Sequence, residues 1–190
     1  GTVTMSAGNT IAIGGSGFTG GKLLLRNFTQ AGTTAMTLPL TGSSTFQVGP
    51  NSAIGGNVNF SAPRILTNGV TYGGTATLEK TGGLDDASIG NNVFNGATTI
   101  TNSGSGYLLM GNGNPDQFNS STTFNNNGTY RIYIGYNHAG QTTSFAGNLT
   151  LNSNKAGGAD AWSYLIAEVA NTNISVAGNL TINCSGALQS

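Results

Sequence analysis

Few residues in this 190-residue chain are suited to chemistry. Asp85 and Asp86 are the one adjacent acidic pair. They follow Gly82-Gly83 in a turn-rich stretch, where neighbouring acids more often shape a turn than form a catalytic dyad. His138 has no partner at metal or triad spacing. Cys184 is the single cysteine, so there is no internal disulfide framework. It sits two places after an inward repeat position, which makes it a small corner residue and not a nucleophile. The calcium-binding nonapeptide Gly-Gly-x-Gly-x-Asp is absent. Sparse carboxylates argue against hydrolase or lyase chemistry, and we expect no catalytic residues, no cofactor and no metal. Asn-x-Ser/Thr occurs at several sites, among them Asn27, Asn119, Asn127, Asn148, Asn173, Asn179 and Asn183. In a chain with 24 Asn and 26 Thr such matches arise by chance.

Recognition by side chains is the other chemistry on offer. A strand-like row of Ser88, Leu109, Tyr133 and Leu165 is expected to face outward, with Tyr107, Arg131 and Tyr136 as neighbours. An exposed apolar stripe marks contact with something, and aromatic rings on a sheet face can stack on sugars. The candidate contact surface is Tyr107, Leu109, Arg131, Tyr133, Tyr136 and Leu165. A long loop of the same chain lying across the stripe is the commoner explanation for such a row. Thr77, Thr99, Thr123, Thr150 and Thr181 form a second outward row. Its mixed flanks favour ordinary strand preference for a β-branched residue over an ice-binding face.

The elements that must position these groups are repeats. Ile54-Gly55-Gly56-Asn57-Val58-Asn59-Phe60 shares its pattern with Tyr72–Leu78, Phe94–Ile100, Phe118–Phe124, Phe145–Leu151 and Val176–Ile182. The starts are separated by 18, 22, 24, 27 and 31 residues. A constant motif with a growing connection is how a stacked repeat with one fixed strand and a variable loop behaves. A second strand recurs at Asp86–Asn91, Tyr107–Asn112, Arg131–Tyr136 and Ser163–Ala167. The period is two, as strands require. Over Ala159–Ala170, Trp162, Leu165, Ile166 and Val169 would also fit a helix, but alignment with earlier strands favours strand.

Two short strands per unit cannot bury a core alone, whereas stacked units can. We therefore expect an all-β, right-handed parallel β-solenoid of about seven coils, each about 4.8 Å above the last. One inward column is Tyr72, Phe94, Phe118, Phe145, Val176. Two more are Ala76, Thr98, Thr122, Leu149, Leu180 and Leu78, Ile100, Phe124, Leu151, Ile182. Gly56, Gly74, Gly96, Gly147 and Gly178 are expected to turn a corner with positive φ. Residues 1–53 read as irregular coils, with a register slip or bulge at Lys22, and 54–190 as the repeats. The whole is one solenoid segment of a longer chain.

Composition agrees with this architecture. Gly numbers 31, charged residues are 6%, and six basic residues balance six acidic ones. That neutrality excludes nucleic-acid binding as the main task. No apolar run approaches the roughly 20 residues of a membrane helix, so membrane insertion is not expected. No signal peptide is visible at Gly1. Both ends read as cuts within a longer polypeptide.

The repeats at Phe94–Asn102, Gly104–Leu109, Asn114–Asn119, Tyr130–Ile134 and Phe145–Thr150 resemble repetitive regions of very large cell-surface proteins of Bacteroidota, the gliding-adhesin-like group. The resemblance spans about residues 70 to 185. It implies export through the type IX secretion system and display on the bacterial cell surface. It implies a structural or adhesive role and no catalytic residues. Adjoining repeats, neighbouring subunits or surface glycans are the partners it suggests. The other reading is a carbohydrate-binding or carbohydrate-cleaving β-helix domain.

Overall fold

A computed structural model describes residues 1–13, 17–155 and 162–185. Every strand among them is in a parallel ladder, and the chain winds as a parallel β-solenoid with three faces. Eight strands from Val3–Met5 to Asn173–Val176 form the first face. Seven strands from Met36–Pro39 to Leu180–Cys184 form the second. At ladder spacing, eight strands span about 34 Å along the axis. The expectation of about seven coils holds.

The inward columns stack in the expected register. Ile54 pairs with Tyr72, Tyr72 with Phe94, Phe94 with Phe118, Phe118 with Phe145, and Phe145 with Val176. Ring planes in the middle of this column are nearly parallel, with centroids 4.8, 4.7 and 4.6 Å apart from Tyr72 to Phe145. That separation is the strand spacing, so backbone pairing and ring stacking reinforce each other. The second-face columns also match, from Ala76 to Leu180 and from Leu78 to Ile182. Alternate residues point outward, which places the threonine row in the same ladder from Thr77 to Thr181. Side-chain amides run beside it: Asn152 donates to Asn125, and Asn183 to Asn152.

The corner glycines work differently from expectation. Gly56, Gly74, Gly96, Gly147 and Gly178 do not have positive φ. Their constraint is close approach of the coil below. A Cβ on Gly96 would stand 2.4 Å from the Gly74 carbonyl oxygen, and one on Gly56 would stand 2.2 Å from that of Thr34. The coils touch backbone to backbone at these glycines, which excludes a Cβ there; Ser120, at the same place in its repeat, is the exception.

The N-terminal coils join the same ladders. Phe28–Gln30 pairs with Val3–Met5 and with the Ser52–Ile54 strand. Lys22 is not in a slipped first-face motif. Lys22–Leu25 is a third-face strand paired with Thr45–Val48, and the apparent misfit came from aligning it with the wrong face.

The third face consists of two sheets, one over Lys22–Leu25, Thr45–Val48 and Arg64–Thr67, the other from Asp86–Ala87 to Tyr164–Ile166. At the junction, side chains take the place of backbone acceptors. The Ile65 N–H donates to Asp86 Oδ2 at 2.8 Å, and the Thr67 N–H to Ser88 Oγ at 3.1 Å. Both side chains therefore point inward, and the expected outward position of Ser88 is corrected. Asp86 pairs with Leu108 and Ala87 with Leu109, one residue out of the expected alignment, so the outward row is Ala87, Leu109, Tyr133, Leu165. The segment around Leu165 is strand Tyr164–Ile166, as alignment had favoured over a helix. Ala159–Ala161 of the helix alternative lie outside the described residues.

Candidate functional site

Strand Ile132–Asn137 builds the centre of the candidate surface. Ile132 and Ile134 are fully buried, which turns Tyr133 outward between them. Simple alternation would send Tyr136 inward. A bulge prevents this: the ladder to Leu108–Asn112 shifts register between Met110 and Asn112, with Gly111 and Gly135 at φ of 75° and 62°. The extra residue reverses the alternation, so Tyr136 joins Tyr133 on the outer side. Their rings meet edge to face at 5.1 Å.

Tyr107 enters from the coil below. Its N–H donates to Asp85 Oδ1 at 3.0 Å, and its ring meets Tyr133 edge to face at 5.4 Å. Tyr130 joins through Tyr107, with ring centroids 6.3 Å apart. The Arg131 guanidinium lies 5.2 Å from the Tyr130 ring centre and 5.7 Å from that of Tyr133, within cation–π range. Loss of water raises the Tyr107 and Tyr133 phenols above the usual tyrosine value. They keep their protons near neutrality and remain hydrogen-bond donors.

Of the six expected contact residues, Tyr107, Arg131, Tyr133, Tyr136 and Leu165 share this face, each partly accessible to solvent. Leu109 differs. It points outward in the ladder but is only 4% exposed, so it supports the patch from beneath. Tyr130 belongs to the cluster and was not read from the sequence. Its signal was the density of Tyr and Arg over residues 130–136, not its repeat position.

Asp85 is exposed, whereas the next residue, Asp86, is fully buried. The two carboxylates thus leave opposite sides of the strand. Burial raises Asp86 from 3.8 to about 7, against the opposing pull of its Ile65 hydrogen bond, Lys80 and Arg64. Lys80 is also buried, and burial lowers its ammonium below the usual lysine value while Asp86 pulls the other way.

A polar column runs through the core beside the rings. The Val70 N–H donates to Asn92 Oδ1, the Asn92 N–H to Asp116 Oδ1, and the Asp116 N–H to Thr143 Oγ1. Tyr72 and Thr67 continue it, since the Thr67 hydroxyl donates to Asn92 Oδ1 and lies 2.8 Å from the Tyr72 oxygen. His138 closes the upper end: Nε2 lies 2.9 Å from Thr143 Oγ1, and Nδ1 lies 3.1 Å from the Gln141 carbonyl. A carbonyl can only accept, so Nδ1 donates to it. His138 therefore holds a turn together. Burial raises Asp116 from 3.8 to about 7 despite its two bonds from Asn92. Cys184 pairs with Ser153 at the corner position expected for it, and is exposed in the last described strand.

Among the described residues, no three His, Cys, Asp or Glu side chains come together as a metal site, and no helix is long and apolar enough to cross a membrane. No family model matches the chain, and neither a curated protein nor a solved structure matches it.

Proposed function

We propose that the chain is a structural and adhesive segment of an extracellular bacterial surface adhesin or filament. The solenoid serves as a rod whose length follows coil number, and its third face makes the contacts. The carrying observation is the cluster of four tyrosines and Arg131 on the outside of the third face. Tyrosine supplies large contact area with few rotatable bonds and keeps a polar tip for hydrogen bonding. Surface glycans are the partner that fits, because a pyranose offers apolar C–H faces to rings and hydroxyls to phenols. The resemblance of the repeats to gliding-adhesin-like surface proteins supports display on the cell surface, and type IX export is the route that resemblance implies.

A glycan array and calorimetry on its positives test this reading. Wild-type protein should bind a defined glycan set, and Tyr107→Ala with Tyr133→Ala should weaken binding by about tenfold or more, in line with stacking energies of order 1 kcal/mol per ring. Binding unchanged in that variant, or no binding to any glycan or bacterial surface, would refute it. The sugar-cleaving alternative rests on Asp85, the exposed carboxylate bonded to the Tyr107 N–H.

A further inference from the structure

Lys80 is a buried nucleophile without an assigned task. It sits in the middle of the solenoid, in an inward column with Ala62 one coil below and Asn102 and Asn126 in the coils above. All four are 0% exposed. Asn102 and Asn126 each close the turn that follows them: Nδ2 donates to the Gly106 carbonyl at 3.1 Å and to the Tyr130 carbonyl at 2.8 Å, respectively. Lys80 Nζ donates to the Gly82 carbonyl in the corresponding turn. An asparagine closes such a turn without burying a charge. A lysine there carries a desolvation cost that turn closure does not require, and among the described residues no carboxylate is in ion-pair contact with it. Burial favours the free amine over the ammonium, and a desolvated lysine amine is a nucleophile.

An electrophile lies beside it. Lys80 and Asn102 are direct ladder partners, so their Cα atoms are about 4.8 Å apart. Both side chains reach the backbone at Gly104. A Cβ on Gly104 would stand 2.9 Å from Lys80 Nζ, and the Gly104 N–H donates to Asn102 Oδ1 at 3.1 Å. Glycine leaves no side chain between the amine and the carboxamide. The N–H on Oδ1 draws electron density from Cγ and is placed to hold negative charge developing on that oxygen.

We propose that Lys80 Nζ and Asn102 Cγ join as an isopeptide bond that ties strand Ala76–Lys80 covalently to strand Thr98–Asn102. The Nζ lone pair adds to Cγ, and the Cγ–Nδ2 bond breaks. Nδ2 takes one hydrogen from Nζ and leaves as ammonia, so no oxidant or cofactor is needed. Asp86 is the carboxyl available to carry that proton. It is buried on the same coil, its Oδ1 accepts no hydrogen bond, and it and Lys80 feel each other's charge. The two reacting groups are held side by side by the ladder, which removes the entropy cost of bringing them together. The product adds a covalent tie between neighbouring coils where hydrogen bonds alone would resist unwinding. The inference does not rest on the tyrosine face: glycan binding and the cross-link can each be present without the other.

Mass spectrometry of the purified chain in denaturant is the test. The wild-type mass should fall below that of its sequence by one ammonia. Trypsin should fail to cut after Lys80, and the digest should contain a branched peptide joining Lys80 to Asn102. Lys80→Arg and Asn102→Ala should each show full sequence mass and no branched peptide. The wild-type measurements stand whether or not either variant folds. A wild-type mass equal to that of the sequence would overturn the proposal. So would loss of one water in place of ammonia, the mark of a bond to a carboxylate such as Asp86, or ammonia loss that persists in Lys80→Arg.

Discussion

Replacing Phe118 by alanine takes the third of four stacked rings out of the core. Its neighbours are Phe94 at 4.7 Å and Phe145 at 4.6 Å, with Phe124 edge-on at 6.0 Å. The site is 1% exposed, and burial on that scale makes Phe→Ala cost about 3–5 kcal/mol. The upper half of that range applies, because the coils cannot collapse onto the void. The Asn119 N–H bonds the Phe94 carbonyl at 2.8 Å and the Ala146 N–H bonds the Phe118 carbonyl at 2.8 Å, which pins the spacing on both sides. For a chain of this size about 4 kcal/mol lowers the melting temperature by about 8–16 °C. Val176→Ala in the same column serves as the control. Val176 is partly exposed in the last first-face strand, so truncation there should cost about 1 kcal/mol or less. Urea titrations followed by far-ultraviolet circular dichroism measure both. A Phe118→Ala curve overlying wild type, or a Val176→Ala loss equal to that of Phe118→Ala, would refute the stacked-column account.

Gly96→Ala should destabilise by more than Gly140→Ala, although Gly140 has φ of 75° and Gly96 does not, because a Cβ at Gly96 meets the Gly74 carbonyl while one at Gly140 meets nothing within 4 Å. Comparing the two melts checks this. Asp116 holds its proton more tightly in the folded state, at about 7 against 3.8, so its contribution to stability is fully present below about pH 4 and is lost as pH rises to about 7. Asp116→Asn should remove that part of the slope, and urea midpoints across this window for both proteins would sink the idea if the difference between them stayed flat. A screen on acidic and neutral polysaccharides should release no reducing ends; release abolished by changing Asp85 and Asp86 would show the protein to be an enzyme.

Repetition made the first two faces legible in the sequence. Six copies of one seven-residue pattern, from Ile54 to Ile182, fixed which residues stack on which, because strand alternation leaves a single register that keeps Phe94, Phe118 and Phe145 inside. The third face was less legible where its two sheets meet. Asp86 and Ser88 replace backbone acceptors there, and no periodicity announces a side chain standing in for a carbonyl, so the outward row was misplaced by one at Ser88. The tyrosine cluster also needed the tertiary structure. Tyr133 and Tyr136 are three apart and would face opposite ways in a regular strand; only the bulge at Gly111 and Gly135 puts them together. The corner glycines make the same point. Their recurrence was visible in the sequence, but its cause was not, since the contact that excludes a Cβ lies one coil away, 18 to 31 residues back along the chain.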